Sequence, residues 1–289
     1  MLAPLQNLFA RDDSAAGGQT KVTLAQALKR GWLELWYQPK VSLQSGKLIG
    51  AEGLVRVRHP DLGVLGPGAF LPGAGEAEML AMTERVIVAA LRDWRECAAA
   101  GAPSLKLAVN VPASAFGKLP ITQMIRDERP KSADWPGLIL EVTEDQVVND
   151  LKMAQEVANE LRAQNCGLAI DDFGAGYSSL GRLKELPFTE LKIDRAYVAD
   201  CNTDKVKSGM LESIVELAHR FGLKSVAEGI ETPYESHKLQ GIGCVVGQGY
   251  LFAKPMARED FLVKVERHTG QQRAPQRGSW FGAAKLNAL

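Results

Sequence analysis

Short apolar or alternating runs recur along the chain, each followed by a longer stretch with apolar residues at helical spacing. The strand-like runs are Leu33–Leu43, Leu48–Val57, Leu105–Val111, Leu138–Val142, Gly167–Ile170, Glu190–Ile193, Ser225–Ala227 and Gly243–Val246. Between them, Glu76–Ala99, Leu151–Gln164, Lys205–Phe221 and Arg258–Arg267 carry the amphipathic pattern of helices. Asn149 and Asp150 read as caps for the helix beginning at Leu151, and Gly222 reads as the stop of the helix before it. Eight strand candidates with intervening helices in about 250 residues match a (β/α)₈ barrel in count and length. The first two runs are separated only by Gln44-Ser45-Gly46, which predicts a hairpin, so the first strand is expected to run antiparallel. A doubly wound sheet is the competing fold, but no GxGxxG follows an early strand.

Chemistry concentrates at the ends of these strands. The run Cys166 to Ile170 delivers Asp171 and Asp172 into a glycine-rich turn, Phe173-Gly174-Ala175-Gly176. Two adjacent carboxylates at the end of a buried strand repel each other and lose hydration unless cations neutralise them. Capping of the following helix is the plain alternative. The pattern recurs, however: Glu52, Asn110, Glu141, Lys192, Glu228 and Gln248 also stand in or just after strand ends. In a barrel these positions converge on one face, where active sites lie, and packing alone would place Val, Ile or Leu there.

Glu52, Asn110, Glu141 and Asp171 suit a six-coordinate Mg²⁺ or Mn²⁺. Asp171 with Asp172 suits a bridge to a second ion about 3.5–4 Å away, the spacing of two-metal hydrolases. Among such cations Lys192 would lose proton affinity and serve to orient or deprotonate an attacking water. A salt bridge to Asp171, Asp172 or Glu228 is its structural alternative.

Composition narrows the function little. Among 289 residues, Lys plus Arg and Asp plus Glu number 34 each, which speaks against bulk capture of a nucleic-acid polymer. Basic residues around Arg220 read as a solvated helix face. The four cysteines have no metal-type or CxxC spacing, and the four histidines are scattered, so neither a disulfide framework nor a zinc site is expected. No run approaches the roughly 20 apolar residues of a membrane span, and Met1 to Thr20 lacks the pattern of a secretory signal. The expectation is a cytoplasmic protein with a loose leader at 1–20, one domain at 21–267 and a flexible tail at 268–289.

Ordered motifs sharpen this reading: Tyr37-Gln38-Pro39, GAEGLVR from Gly50 to Arg56, VNVPASAF around Asn110, and LEVTE from Leu140 to Glu144. They continue as DDFGAGYSSL, LKID from Leu191 to Asp194, AEGIET from Ala227 to Thr232, and GQGYLFAKP ending at Pro255. Together they resemble the EAL-domain family of cyclic-di-GMP phosphodiesterases over about residues 21–267. The resemblance implies a TIM-like (β/α)₈ barrel with an antiparallel first strand. It also implies hydrolysis of cyclic di-GMP to linear 5′-pGpG with two Mg²⁺ or Mn²⁺ ions. By motif, Glu52, Asn110, Glu141 and Asp171 resemble ligands of the first metal. Asp171, Asp172 and Glu228 resemble those of the second, and Lys192 the water-activating lysine. Glu231 and Gln248 match further active-site groups, and Gln38, Leu54, Arg56 and Asp172 match substrate-contacting positions. Arg56 is suited to bidentate phosphate contact. The DDFGAGYSS turn resembles the loop that couples metal binding to a dimer interface, with Glu144 as the acid that braces it.

The chain departs from the family pattern in several places. Gly53 replaces Ala in the name-giving tripeptide, Ser42 an Asp, Val57 a Trp, Gly75 an acid, Pro112 a Ser, and Val245 an Asp. None removes an expected ligand; Pro112 and Val245 lie near ligands in sequence and bear on substrate fit and rate. A slow or inactive cyclic-di-GMP receptor, or a protein-interaction module, is the alternative function. Degenerate barrels of this kind lose an acidic ligand or the lysine, and this chain keeps both. A homodimer through Lys205–Phe221 and a regulatory protein partner complete the expectations.

Overall fold

The computed structural model describes residues 22–143, 151–174, 183 and 186–270. Eight strands close a barrel: β1 (Leu33–Ser42), β2 (Leu48–His59), β4 (Lys106–Asn110), β5 (Leu138–Thr143), β6 (Gly167–Phe173), β7 (Glu190–Ile193), β8 (Lys224–Ala227) and β9 (Val246–Gly247). Two short strands flank it, β3 (Gly63–Leu65) beside β2 and β10 (Met256–Ala257) beside β1. From β2 through β4 to β9 the barrel strands pair in parallel. β1 alone runs against both its barrel neighbours, β2 and β9, so the fold is a TIM-like barrel with a reversed first strand. The hairpin expected at Gln44–Gly46 is present, with Gly46 at φ 66° donating its N–H to the Ser42 carbonyl.

Nine α-helices dress the outside, α1 (Leu24–Arg30), α2 (Pro67–Phe70), α3 (Glu76–Ala99), α4 (Ile121–Glu128), α5 (Leu151–Arg162), α6 (Arg195–Val198), α7 (Lys205–Arg220), α8 (Pro233–Gly241) and α9 (Arg258–Thr269), counted among the described residues, with a 3-10 turn at Ala113–Ala115. On α3, Met79, Met82, Val86, Ile87, Ala90, Leu91 and Trp94 recur at helical spacing and are buried. Gly222 ends α7 in the left-handed region, φ 69°, as its sequence position predicts. The helix α9 runs two residues past the expected end at Arg267, and Thr269 closes it by donating its hydroxyl to the Ala100 carbonyl. The leader at 1–20, the caps Asn149 and Asp150, and the chain after 270 lie outside the described residues.

The main core lies between the helices and the outer faces of the strands. A separate small apolar layer, Ala108, Ile139 and Ala169, lies inside the barrel. Strand alternation explains why. Positions 38 and 40 of β1, 52 and 54 of β2, 110, 141, 171 and 192 point inward, and most are polar or charged.

Candidate active site

At the carboxyl ends of the parallel strands, Lys192 stands fully buried at the centre of a ring of acids. Its Nζ lies 2.5 Å from Glu141 Oε2, 2.7 Å from Glu228 Oε1, 3.1 Å from Asp171 Oδ1 and 3.6 Å from Glu52 Oε1. The structural alternative for Lys192 therefore holds for Asp171 and Glu228, and Glu141 and Glu52 join them. Register brings these groups together: Asn110 sits opposite Glu141, and Gln38 opposite Glu52. Asn110 Nδ2 donates to Glu52 Oε1 at 2.8 Å, and Gln248 Nε2 donates to Glu52 Oε2 at 2.6 Å and to Gln38 Oε1 at 3.0 Å. Glu52 is thus gripped at both oxygens. Gly53 does not loosen it, because a Cβ there would already touch Val109, Ala108 and Tyr37 at 3.3–3.4 Å.

Asp171 and Asp172 occupy a bulge. The β6–β7 register slips between Ile170 and Phe173, and Asp172 takes φ 56°, a conformation sparsely used outside glycine. Its N–H donates to Asp171 Oδ1 at 3.0 Å. The extra residue lets neighbouring carboxylates share one rim, which strict alternation forbids.

Beneath the ring lies a second lysine that the sequence reading passed over. Lys40, buried on β1, donates from Nζ to Glu141 Oε1 at 2.6 Å and stands 3.9 Å from Glu190 Oε2. Glu141 is held between two ammonium groups. Burial, followed by repulsion from Glu52, nevertheless pushes Glu141 up to about 7, against the pull of Lys192 and Lys40. For Lys40, burial favours the neutral amine, but the attraction of Glu141 and Glu190 outweighs it and raises the pKa above the ordinary lysine value.

A cleft of about 580 Å³ opens over this ring, lined by Gln38, Glu52, Leu54, Glu228, Glu231 and Gln248 among others. Glu231 stands at its mouth, half exposed and paired with Arg195 at 2.7 Å, and does not join the Lys192 ring. Arg56, two positions above Leu54 on the inward face of β2, is buried and donates to the Val55 carbonyl at 2.9 Å. Glu144 and the DDFGAGYSS turn beyond Gly174 lie outside the described residues. Val245 directly precedes β9, half exposed, with its N–H on Ser225 Oγ at 3.2 Å, and does not join the Lys192 ring. A larger cleft of about 790 Å³ between α3 and β1 contains none of these residues.

The donor chemistry fits a divalent cation. Among the described residues no three His, Cys, Asp or Glu side chains form a ready cation cage, since Lys192 holds the centre. Yet in the ion pairs of this ring four carboxylates, Glu52, Glu141, Asp171 and Glu228, gather about two lysines, Lys40 and Lys192, in a buried space. Asn110 Oδ1 and Gln248 Oε1 are buried acceptors without a hydrogen-bond partner, which an oxygen-seeking ion would satisfy.

A rim of buried oxygen donors thus surrounds one lysine at the carboxyl face of a TIM-like barrel, the face where barrels of this kind carry their active sites. The comparisons then name the family: the EAL domain family model matches residues 21–255, and the chain belongs to that family. Two relatives from Pseudomonas aeruginosa are each 38% identical. They are the bifunctional diguanylate cyclase/cyclic di-GMP phosphodiesterase MucR, over 84% of this chain and 36% of its own length, and the cyclic di-GMP phosphodiesterase RocR, over 83% and 61%. The chain thus spans about a third to three-fifths of these relatives. A MucR phosphodiesterase structure in complex with c-di-GMP superimposes with a TM-score of 0.75 at 38% identity, covering 82% of this chain and 97% of that one. The FimX EAL domain from P. aeruginosa, bound to c-di-GMP, gives 0.70 at 25% identity, with 81% and 94% covered.

Proposed function

We propose that this chain hydrolyses cyclic di-GMP to linear 5′-pGpG with Mg²⁺ or Mn²⁺, two ions per site. The observation that carries the reading is the complete, converged acidic ring around Lys192, together with the unpartnered Asn110 Oδ1. Glu52, Asn110, Glu141 and Asp171 would hold one ion, and Asp171, Asp172 and Glu228 the other. Bound there, the ions would offset charge on the phosphodiester and on both the attacking and the leaving oxygen. Gln38 and Leu54 line the cleft along which the dinucleotide would lie, and Arg56 would offer its guanidinium to phosphate. Lys192 would orient or deprotonate the attacking water, its Nζ held in place by Asp171 and Glu228 within 3.1 Å. Gln248 keeps Glu52 in place, and Glu231 holds the mouth through Arg195.

Two further readings attach to this one. Val206 and Met210 are exposed on α7, which supports a homodimer or a regulatory protein partner on that helix. Four free, buried cysteines suit a reducing cytoplasm, and no helix of the described residues is long and apolar enough to cross a membrane.

The deciding experiment incubates the purified protein with cyclic di-GMP and Mg²⁺ or Mn²⁺, with EDTA as control, and resolves the products by chromatography. Metal-dependent 5′-pGpG is the expected result. Tight binding without product would replace the phosphodiesterase with a receptor, and neither binding nor product would remove cyclic di-GMP altogether.

A further inference from the structure

We propose that α6 is a clamp that fixes the rim loops on both sides of Lys192, and that Tyr197 is a positioning residue acting on Asp171 and Asp172 through Gly174. The catalytic consequence rests on the metal-dependent reading above; the clamp itself rests on the contacts. The helix α6 hangs directly from the lysine strand: β7 ends at Ile193, and Asp194 caps the next turn by accepting the Ala196 N–H at 2.8 Å. Any displacement of this turn is therefore felt one or two residues from Lys192.

On one side, the Tyr197 hydroxyl donates to the carbonyl of Gly174, and its ring covers that residue so closely that a Cβ there would come within 2.8 Å of Cε2. Gly174, at φ 96°, leaves the bulge that holds the two aspartates. Asp172 stays in its left-handed conformation only while the surrounding structure holds it there. The strand pairing that would otherwise fix it is interrupted at this point. The Tyr197 bond is thus an anchor placed two residues from the strained position.

On the other side, the Arg195 stem lies over Gly229, where a Cβ would meet Cγ at 2.4 Å, and its guanidinium pairs with Glu231 at 2.7 Å. Glu228 immediately precedes Gly229. A second tie reinforces the first: Asp200 donates its N–H to Glu235 Oε1 at 3.2 Å. Oε2 of the same carboxylate accepts the Glu231 and Thr232 N–H groups at 2.9 Å. Each neighbouring loop offers a positive-φ glycine directly beneath an α6 side chain. This juxtaposition locks three strand ends to one helical turn. The Arg195 pair is solvent-exposed and worth little by itself, so the Tyr197 arm is the one to test.

Tyr197→Phe removes one oxygen and keeps the ring over Gly174. In metal-free protein, amide hydrogen exchange at Asp172, Phe173 and Gly174 should quicken about three- to tenfold, the loss expected for one hydrogen bond. The Mn²⁺ dissociation constant from calorimetry should rise by a similar factor, with the thermal midpoint nearly unchanged and kcat falling more than KM. Unchanged exchange overturns the clamp. Faster exchange with unchanged Mn²⁺ affinity overturns Tyr197 as a positioning residue for the aspartates. Should the wild-type protein bind no Mn²⁺, the metal reading falls, and the exchange comparison still decides the clamp.

Discussion

Asn110 gives its amide N–H to Glu52 Oε1 at 2.8 Å while its own Oδ1, equally buried, has no hydrogen-bond partner. An unsatisfied buried acceptor costs about 1–3 kcal/mol, so its retention beside a carboxylate points to a ligand role. Asn110→Ala should weaken Mn²⁺ binding at least about tenfold while lowering thermal stability little, since an unsatisfied group is removed as well. Calorimetric Mn²⁺ titration checks this; unaltered affinity would take Asn110 out of the ligand set.

Lys192→Ala should reduce kcat by about 10²–10⁴-fold, the usual worth of a positioned proton-handling group, while cyclic di-GMP still binds. It also leaves the buried acids facing one lysine, so the variant should melt at a lower temperature without metal than with Mn²⁺. Turnover at the wild-type rate would exclude Lys192 from the mechanism.

Lys40 bears on stability as much as on the site. Lys40→Met leaves Glu141 with Lys192 alone in a fully buried setting, and breaking such a pair costs about 3–5 kcal/mol. Urea unfolding should show that loss in the metal-free protein. A change under about 1 kcal/mol would mean that the pair roughly offsets its own desolvation.

Val245→Asp restores the residue usual in the family. Because Val245 is half exposed, bonds Ser225 and stands outside the Lys192 ring, the change should leave kcat/KM within about twofold, as for ordinary surface substitutions. A large gain in steady-state kcat/KM would show that this position, though outside the ring, limits turnover.

Burial pushes the Cys97 thiol up to about 12 and the Cys244 thiol up to about 11. An unfolded cysteine ionises near 9.0, so between that value and 11–12 the unfolded chain releases protons that the folded one keeps. Stability should therefore fall as pH rises through this window, and native protein at pH 8 should resist thiol-specific reagents that label all four cysteines once it is unfolded. Rapid labelling of Cys97 or Cys244 in the native state would contradict this.

Most of the barrel was legible because polar residues interrupt its strands where packing calls for aliphatic ones. Glu52, Glu141 and Lys192 each stand out between apolar neighbours. The bounds failed where elements are too short for a period to register. The last barrel strand, expected at Gly243–Val246, is Val246–Gly247, because Gly243 at φ 84° and Cys244 belong to the stop of α8. The short strands β3 and β10 and the single turn α6 carry no periodic signal at all. Lys40 escaped notice for a different reason. A lysine following Pro39 near a hairpin reads as a solvated strand end, and only its approach to Glu141, 101 positions away in sequence, reveals a buried partner. The bulge at Asp171 and Asp172 is likewise a property of the β6–β7 register that local composition does not encode.

The reversed strand makes β1 the seam of the barrel. It is the one strand that meets both its barrel neighbours antiparallel, and it contributes Gln38 to the rim and Lys40 to the layer below within three residues. A fragment starting after Ser42 would lose both and expose the open edges of β2 and β9 to any passing strand. Upper and lower halves of the site are thus stitched by a single thread, so that whatever tugs on this segment reaches both Glu52 and Glu141 at once.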